Sequence, residues 1–191
     1  MKNFYHCISG VTLEMSQPGW TGSLRVLTVY ISGVIFGCLG ASVIKPGVDL
    51  QGSSAGLYAI TWAHIASLIL NWKEDGILYA NIKTEVGKFA PMNLNKFVRI
   101  CRLVMVIFTF LTDLGLFIYD KTMYKNVSFF GHAFGCLAGV LVGMVVLKNR
   151  KVDDWERKMK GVVWAVVTLL ALCLIAVHIF DQNRFPKNMI E

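Results

Sequence analysis

Five side chains capable of acid–base or nucleophilic chemistry sit inside otherwise apolar stretches of this 191-residue chain: Ser54, His64, Asp113, His132 and His178. An ionisable or reactive group surrounded by hydrocarbon is expensive, so each is a functional candidate by default. A serine hydroxyl becomes a useful nucleophile when a neighbouring imidazole can take its proton. Such a pair is recognised by geometry, not by proximity along the chain. The first question is therefore which of these groups the fold can bring to the same place.

Composition sets the solvent in which they must work. Hydrophobic residues make up 55% of the chain and charged residues 16%, against roughly 45–50% and about 25% in an ordinary soluble domain. Mean hydropathy is +0.55. A soluble fold of this size buries only about 70% of the surface its unfolded chain exposes, so the remaining apolar surface requires lipid. That excludes a secreted disulfide scaffold, a nucleic-acid module and a disordered chain. The expected class is an all-α, polytopic helical membrane protein. Of the five cysteines, all but Cys7 (Cys38, Cys101, Cys136 and Cys173) fall in apolar runs, without a CxxC pair. They read as buried small hydrophobes, not as bridges or zinc ligands.

Five stretches approach the roughly 20 apolar residues that a crossing needs: Leu24–Ile44, Ser54–Trp72, Phe97–Tyr119, Val127–Leu147 and Gly161–Phe180. The first ten residues carry Lys2 as their only charge and lack the apolar core of a signal peptide. Because loops alternate across the bilayer, one face collects Lys2, Arg25, Lys73, Lys83, Lys88, Lys96, Arg99, Arg102, Lys148, Arg150, Lys151, Arg157, Lys158 and Lys160. The other holds Lys45, Lys121, Lys125, Arg184 and Lys187. Fourteen of the nineteen basic residues thus lie on one side, which the positive-inside rule makes cytoplasmic. The net charge of +7 is accounted for in this way, without a nucleic-acid partner. Trp72, Tyr119 and Trp155 fall near span ends, where interfacial aromatics belong. The run KNRKVDDWERKMK is a charged juxtamembrane segment able to lie at the interface as a helix.

This topology sorts the candidates by depth. Ser54 opens the second span and His132 lies a few residues into the fourth, and both spans start on the luminal side. The two groups are therefore expected at the same shallow depth on separate helices. Gly131, Gly135, Gly139 and Gly143 recur every four residues, a ladder that lets membrane helices approach closely. His132 shares the face of the last three. Gly52 and Gly56 flank the serine and permit an unusual backbone at a helix start, where free N–H groups can hold a developing oxyanion. Blander readings exist for each feature. A glycine ladder serves packing, and a serine at a helix start is commonly an N-cap. His64 is expected mid-membrane and facing the bundle, in a structural hydrogen bond. Asp113 is expected in the luminal half of its span, paired with a neighbour or water, and His178 at the interface. The serine and histidine at matching depth on a close-packed face favour chemistry.

The residues that carry this pattern also resemble a known family. GSSAGLYAITWAH resembles the serine motif of the rhomboid intramembrane proteases: glycine-x-serine, then tyrosine four residues after the serine. HAFGCLAG resembles their histidine helix, with glycines three and seven residues after the histidine. LEMSQPGWTGSLRVLTVYISGVIFG is similar to the animal rhomboid stretch that precedes the serine, and LKNRKVDDWERK with a further span to the animal members with an added C-terminal helix. The resemblance runs from about Gly10 to Phe180 and implies a rhomboid-like bundle. Ser54 would be nucleophile and His132 general base, with Tyr58 packed beneath the imidazole. Gly135 and Gly139 would give close contact with the serine helix, and Gly52 would shape the loop before the nucleophile. The implied reaction is hydrolysis of a peptide bond within or next to the span of a single-pass membrane protein, of the growth-factor-precursor type. The implied setting is the secretory pathway or plasma membrane, with the dyad toward the luminal side. No cofactor or metal is implied.

The family pattern has two more spans before this stretch, the second with a His-xxx-Asn type cluster that helps hold the oxyanion. Here that cluster would fall at or before Met1; Asn3 and His6 lie near it without reproducing the spacing. Losing one oxyanion donor costs a factor of roughly 100–1,000 in rate. The expected organisation is therefore residues 1–23 as a cytoplasmic remnant of an upstream helix, and 24–147 as a partial rhomboid core. Residues 148–160 follow as a charged cytoplasmic loop and 161–191 as an extra helix and tail. The alternative is a catalytically impaired or truncated rhomboid-like protein that binds transmembrane clients. A transporter ranks last, because the ionisable groups do not line up as a relay.

Overall fold

The computed structural model describes residues 13, 21–44, 46, 52–71, 94–119, 129–148 and 154–180. Within the third of these helices, the side chains of 94–99, 116 and 117 are outside that description. The described residues form five long helices and no strand: α1 Thr21–Ile44, α2 Gly52–Leu70, α3 Leu94–Tyr119, α4 Phe129–Val146 and α5 Asp154–Phe180. All five fall where the apolar runs predicted them.

Among the described residues, four helices, α1, α2, α4 and α5, are long and apolar enough to cross a membrane. The third, α3, has the length, 26 residues or about 39 Å at 1.5 Å per residue. It is less uniformly apolar because Lys96, Arg99 and Arg102 occupy its first turns and Asp113 interrupts its second half. It is also the most amphipathic of the five.

The distribution of burial is that of a bundle solvated by lipid. α5 is the most apolar crossing helix, yet only 11% of its apolar 18-residue stretch is buried, and Leu169, Leu172, Ile175 and Ile179 all face outward. α2 is the least apolar of the four, and 67% of its stretch is buried. In water this ordering would be reversed, since the hydrophobic effect would drive α5 inward. In lipid, association is driven by close packing and polar contacts, so the helix with the small and polar residues takes the centre.

α1, α2 and α4 form a tightly packed trio, with α5 against α4 and α1, and α3 against α2. Small residues set the spacing. Gly33 and Gly37 of α1 meet Ala59 and Ala55 of α2, so α1 and α2 run antiparallel. Gly135 and Gly139 of α4 meet Ala55 and Ala59, and Gly143 meets Ala63 and Ala66, so α2 and α4 run parallel. A parallel pair has both N-termini at one end, which is what places Ser54 and His132 at the same depth.

Two expectations are refined. α5 starts at Asp154, not Gly161, so the second half of the expected 148–160 loop is helical. Asp154 and Glu156 lie in its first turn, where negative charge complements the helix dipole, and Lys160 Nζ bridges Glu156 Oε1 at 2.8 Å, one turn on. Of the cysteines expected to be buried, only Cys136 is; Cys38 is half-buried and Cys101 and Cys173 are exposed, all four as free thiols. An exposed thiol on a lipid-facing helix surface remains in an apolar medium, so no penalty drives it inward. Cys7, Trp72 and most of the connectors lie outside the described residues.

Candidate active site

The serine comes from the first turn of α2. Helix geometry puts residues four apart on one face, so Ser54, Tyr58 and the small Ala55 and Ala59 beside them face α4. Against them lies His132, one turn into α4, only 7% exposed. Its Nε2 lies 3.0 Å from Ser54 Oγ. Its ring stacks on Tyr58 with centroids 4.3 Å apart and planes inclined by 18°. The serine is half-buried, and its partner is held from below by an aromatic face.

The approach depends on absent side chains. A Cβ on Gly135 would overlap the carbonyl oxygen of Ala55 and lie 3.0 Å from its carbonyl carbon. One on Gly139 would overlap the carbonyl oxygen of Ala59 and lie 2.6 Å from its Cα. These are backbone atoms, unable to swing aside as a side chain can. Any other residue at either position pushes α4 off α2 and lengthens the serine–histidine contact.

Gly52 and Gly56 act through packing, not through the unusual backbone expected of them. Both are helical and neither has a left-handed φ. A Cβ on Gly52 would sit 2.8 Å from Cys38 Sγ, and one on Gly56 2.6 Å from the Tyr30 ring. They seat the first turn of α2 against α1. Any part Gly52 plays in the loop before Ser54 falls on residues outside the described set.

The other candidates separate cleanly. Asp113, 2% exposed on α3, joins the site: its Oδ2 lies 2.8 Å from His132 Nδ1. Both ring nitrogens of the imidazole are thus engaged, one toward the serine and one toward a carboxylate. The sequence reading placed Asp113 in the luminal half of its span with an unspecified partner. The depth rule that matched Ser54 to His132 also matches Asp113 to both, and was the signal available. His64 is buried at 3% exposure but lies ten positions along α2 from Ser54, about 15 Å at 1.5 Å per residue, and takes no part. His178 is half-buried between helices: Nε2 is 2.7 Å from Ser42 Oγ of α1, and Nδ1 is 2.7 Å from the Leu174 carbonyl oxygen. It fastens α5 to α1 two residues before the end of each helix. The α1 ladder of Gly33, Gly37 and Gly40 also escaped the sequence reading, although Gly33-xxx-Gly37 is the small-xxx-small signal applied to α4.

Chemically, a serine hydroxyl at a helix first turn and an imidazole within hydrogen-bond distance are parts of a nucleophilic acyl-transfer site.

Comparison with known proteins shows the family. The family model described as "Rhomboid domain" matches residues 4–149. The chain is 33% identical over 187 residues to rhomboid-related protein 1 of Caenorhabditis elegans, covering 94% of this chain and 44% of that protein. It is 26% identical over 185 residues to rhomboid-related protein 2 of Mus musculus, covering 95% and 53%. It also matches the inactive rhomboid-related protein 2 of C. elegans, 27% identical over 145 residues, covering 74% and 34%. The chain thus spans about half or less of the length of these relatives. No solved structure gives a significant match. With four helices fit to cross a membrane and a rhomboid domain over most of its length, the chain is an integral multi-pass membrane protein and belongs to the rhomboid family.

Proposed function

We propose that this chain is an intramembrane serine endopeptidase that cleaves single-pass membrane proteins within or next to their span. The observation that carries the reading is the 3.0 Å contact between Ser54 Oγ and His132 Nε2, from two parallel helices held at close approach by Gly135 and Gly139. Ser54 attacks the scissile carbonyl carbon as His132 takes its proton. The first-turn N–H groups of α2 face the developing oxyanion. His132 then returns the proton to the leaving amine as the C–N bond breaks, and a water activated by the same imidazole releases the acyl group.

The site lies at the N-terminal end of α2 and α4. In this reading that end faces the luminal or extracellular side, which the charge bias of the loops supports. Substrates of the growth-factor-precursor type fit this placement, since cleavage there frees an ectodomain outward. The test is co-expression of the chain with a tethered growth-factor precursor, beside Ser54→Ala. Ectodomain release that depends on Ser54 supports the reading. Its absence from a properly inserted chain overturns it.

A second reading, a binding protein for transmembrane clients without hydrolysis, is favoured by the match to a relative named inactive. Client capture that is equal in wild type and Ser54→Ala, with no release in either, would favour it.

A further inference from the structure

We propose that Asp113 is the positioning residue of His132, so that the site is a serine–histidine–aspartate unit whose third member is delivered by α3. The inference rests on the hydrolytic reading for its consequence and on independent geometry for its basis. Asp113 Oδ2 lies 2.8 Å from Nδ1, on the side of the ring opposite the serine, and both side chains are nearly inaccessible. A carboxylate inside a membrane protein is costly and persists there when something pairs with it.

The pairing decides where the imidazole keeps its proton. A neutral imidazole has one N–H, and an ionised carboxylate can only accept. Facing Asp113, the proton belongs on Nδ1, which leaves the Nε2 lone pair free to accept the Ser54 O–H. The opposite tautomer would aim an N–H at Ser54 and could not take its proton. Tyr58 cannot make this choice, because stacking fixes the ring plane but is blind to which nitrogen carries hydrogen.

The electron and proton balance follows. As Oγ bonds to the substrate carbonyl carbon, its proton moves to Nε2, and the ring becomes an imidazolium with N–H at both nitrogens. Asp113 stays ionised and now faces a full positive charge. When the C–N bond breaks, the Nε2 proton leaves with the amine and the pair returns to its starting state. α3 packs chiefly against α2, with Phe110 set edge-on to Trp62 at 5.7 Å. The unit is therefore complete only while α3 is seated.

The test uses the purified full chain in bilayers with Asp113→Asn, Asp113→Glu and Ser54→Ala. Asp113→Asn should lower kcat by roughly 100-fold or more while KM moves by less than about threefold, since soluble triads lose about 10,000-fold in kcat on this change. Asp113→Glu should recover part of that loss. In parallel, nitrogen NMR of histidine-labelled protein, with His132→Ala to assign the signal, reads the tautomer without any hydrolysis. Neutral His132 should carry its proton on Nδ1 in wild type and lose that preference in Asp113→Asn. A kcat within about threefold of wild type in Asp113→Asn overturns the proposal. So does an Nε2-protonated wild type, or an Nδ1 proton that survives the substitution. If Asp113→Asn fails to fold, wild type and Asp113→Glu still give the tautomer. If wild type shows no Ser54-dependent cleavage, the protease reading falls and the NMR result still decides the pairing.

Discussion

Gly139 of α4 lies directly over the backbone of Ala59 in α2, so close that a Cβ at position 139 would meet the Ala59 carbonyl oxygen and Cα. Two helices in lipid gain little from hiding apolar surface from each other. What holds them is dispersion and weak polar contact at short range, which falls away within an ångström. The same short range makes the serine–histidine contact a direct readout of this packing.

Gly139→Ala should therefore destabilise the chain by about 1–3 kcal/mol, the usual cost of overpacking, and Gly139→Leu by more. Both should also reduce cleavage by lengthening the Ser54–His132 contact. Gly115, with nothing within 4 Å of a built Cβ, is the matched control, and Gly115→Ala should leave stability unchanged or slightly raised. Thermal unfolding in a mild detergent checks both. Equal stability of Gly139→Ala and wild type would remove the close-packing argument.

Ser54→Ala and His132→Ala should each abolish cleavage while the proteins still insert and fold. Groups that act as a unit are non-additive, so the double variant should be scarcely worse than either single one. Rates measured on one reporter substrate in proteoliposomes decide this. Independent, additive losses would mean that the two residues do not share a proton.

Tyr58 meets His132 face to face, and such ring pairs contribute about 0.5–1.5 kcal/mol beyond their buried area. Tyr58→Phe keeps the aromatic face and should retain most activity. Tyr58→Leu keeps volume but loses the stack, and should cost roughly tenfold in kcat, about 1.4 kcal/mol, as the ring gains freedom. Steady-state kinetics on the two variants test the order: Phe above Leu.

The Ser42–His178 contact fastens α5 to α1. Interhelical polar contacts in membranes average about 0.6 kcal/mol, so Ser42→Ala should loosen α5 slightly. Disulfide cross-linking between cysteines introduced on α1 and α5 would report this as slower or less complete capture. Cleavage dependent on Ser54 should be unaffected, because the contacts that position His132 come from Ser54, Tyr58 and Asp113.

The amino-acid sequence by itself determined the solvent, the number and place of the helices, and the shared depth of Ser54 and His132. Each of these follows from one-dimensional quantities: run length, the position of Lys and Arg, and the four-residue recurrence of glycine on α4. The two glycines after His132 were legible for the same reason, since residues three or four apart share a helix face; Tyr58 was legible only through the resemblance of its motif. What only the tertiary structure decided is which faces of different helices meet. Asp113 could be given a depth but not a direction, because the rotation of α3 about its axis is set by Phe110 against Trp62 and by the carboxylate itself. His178 could be placed near a helix end, but its partner, Ser42 of α1, could not be named. Gly52 and Gly56 looked like backbone hinges until Cys38 and Tyr30 were seen to occupy the space a Cβ would take. Depth is written along a chain by its hydropathy; azimuth is written only by the neighbours a helix finds.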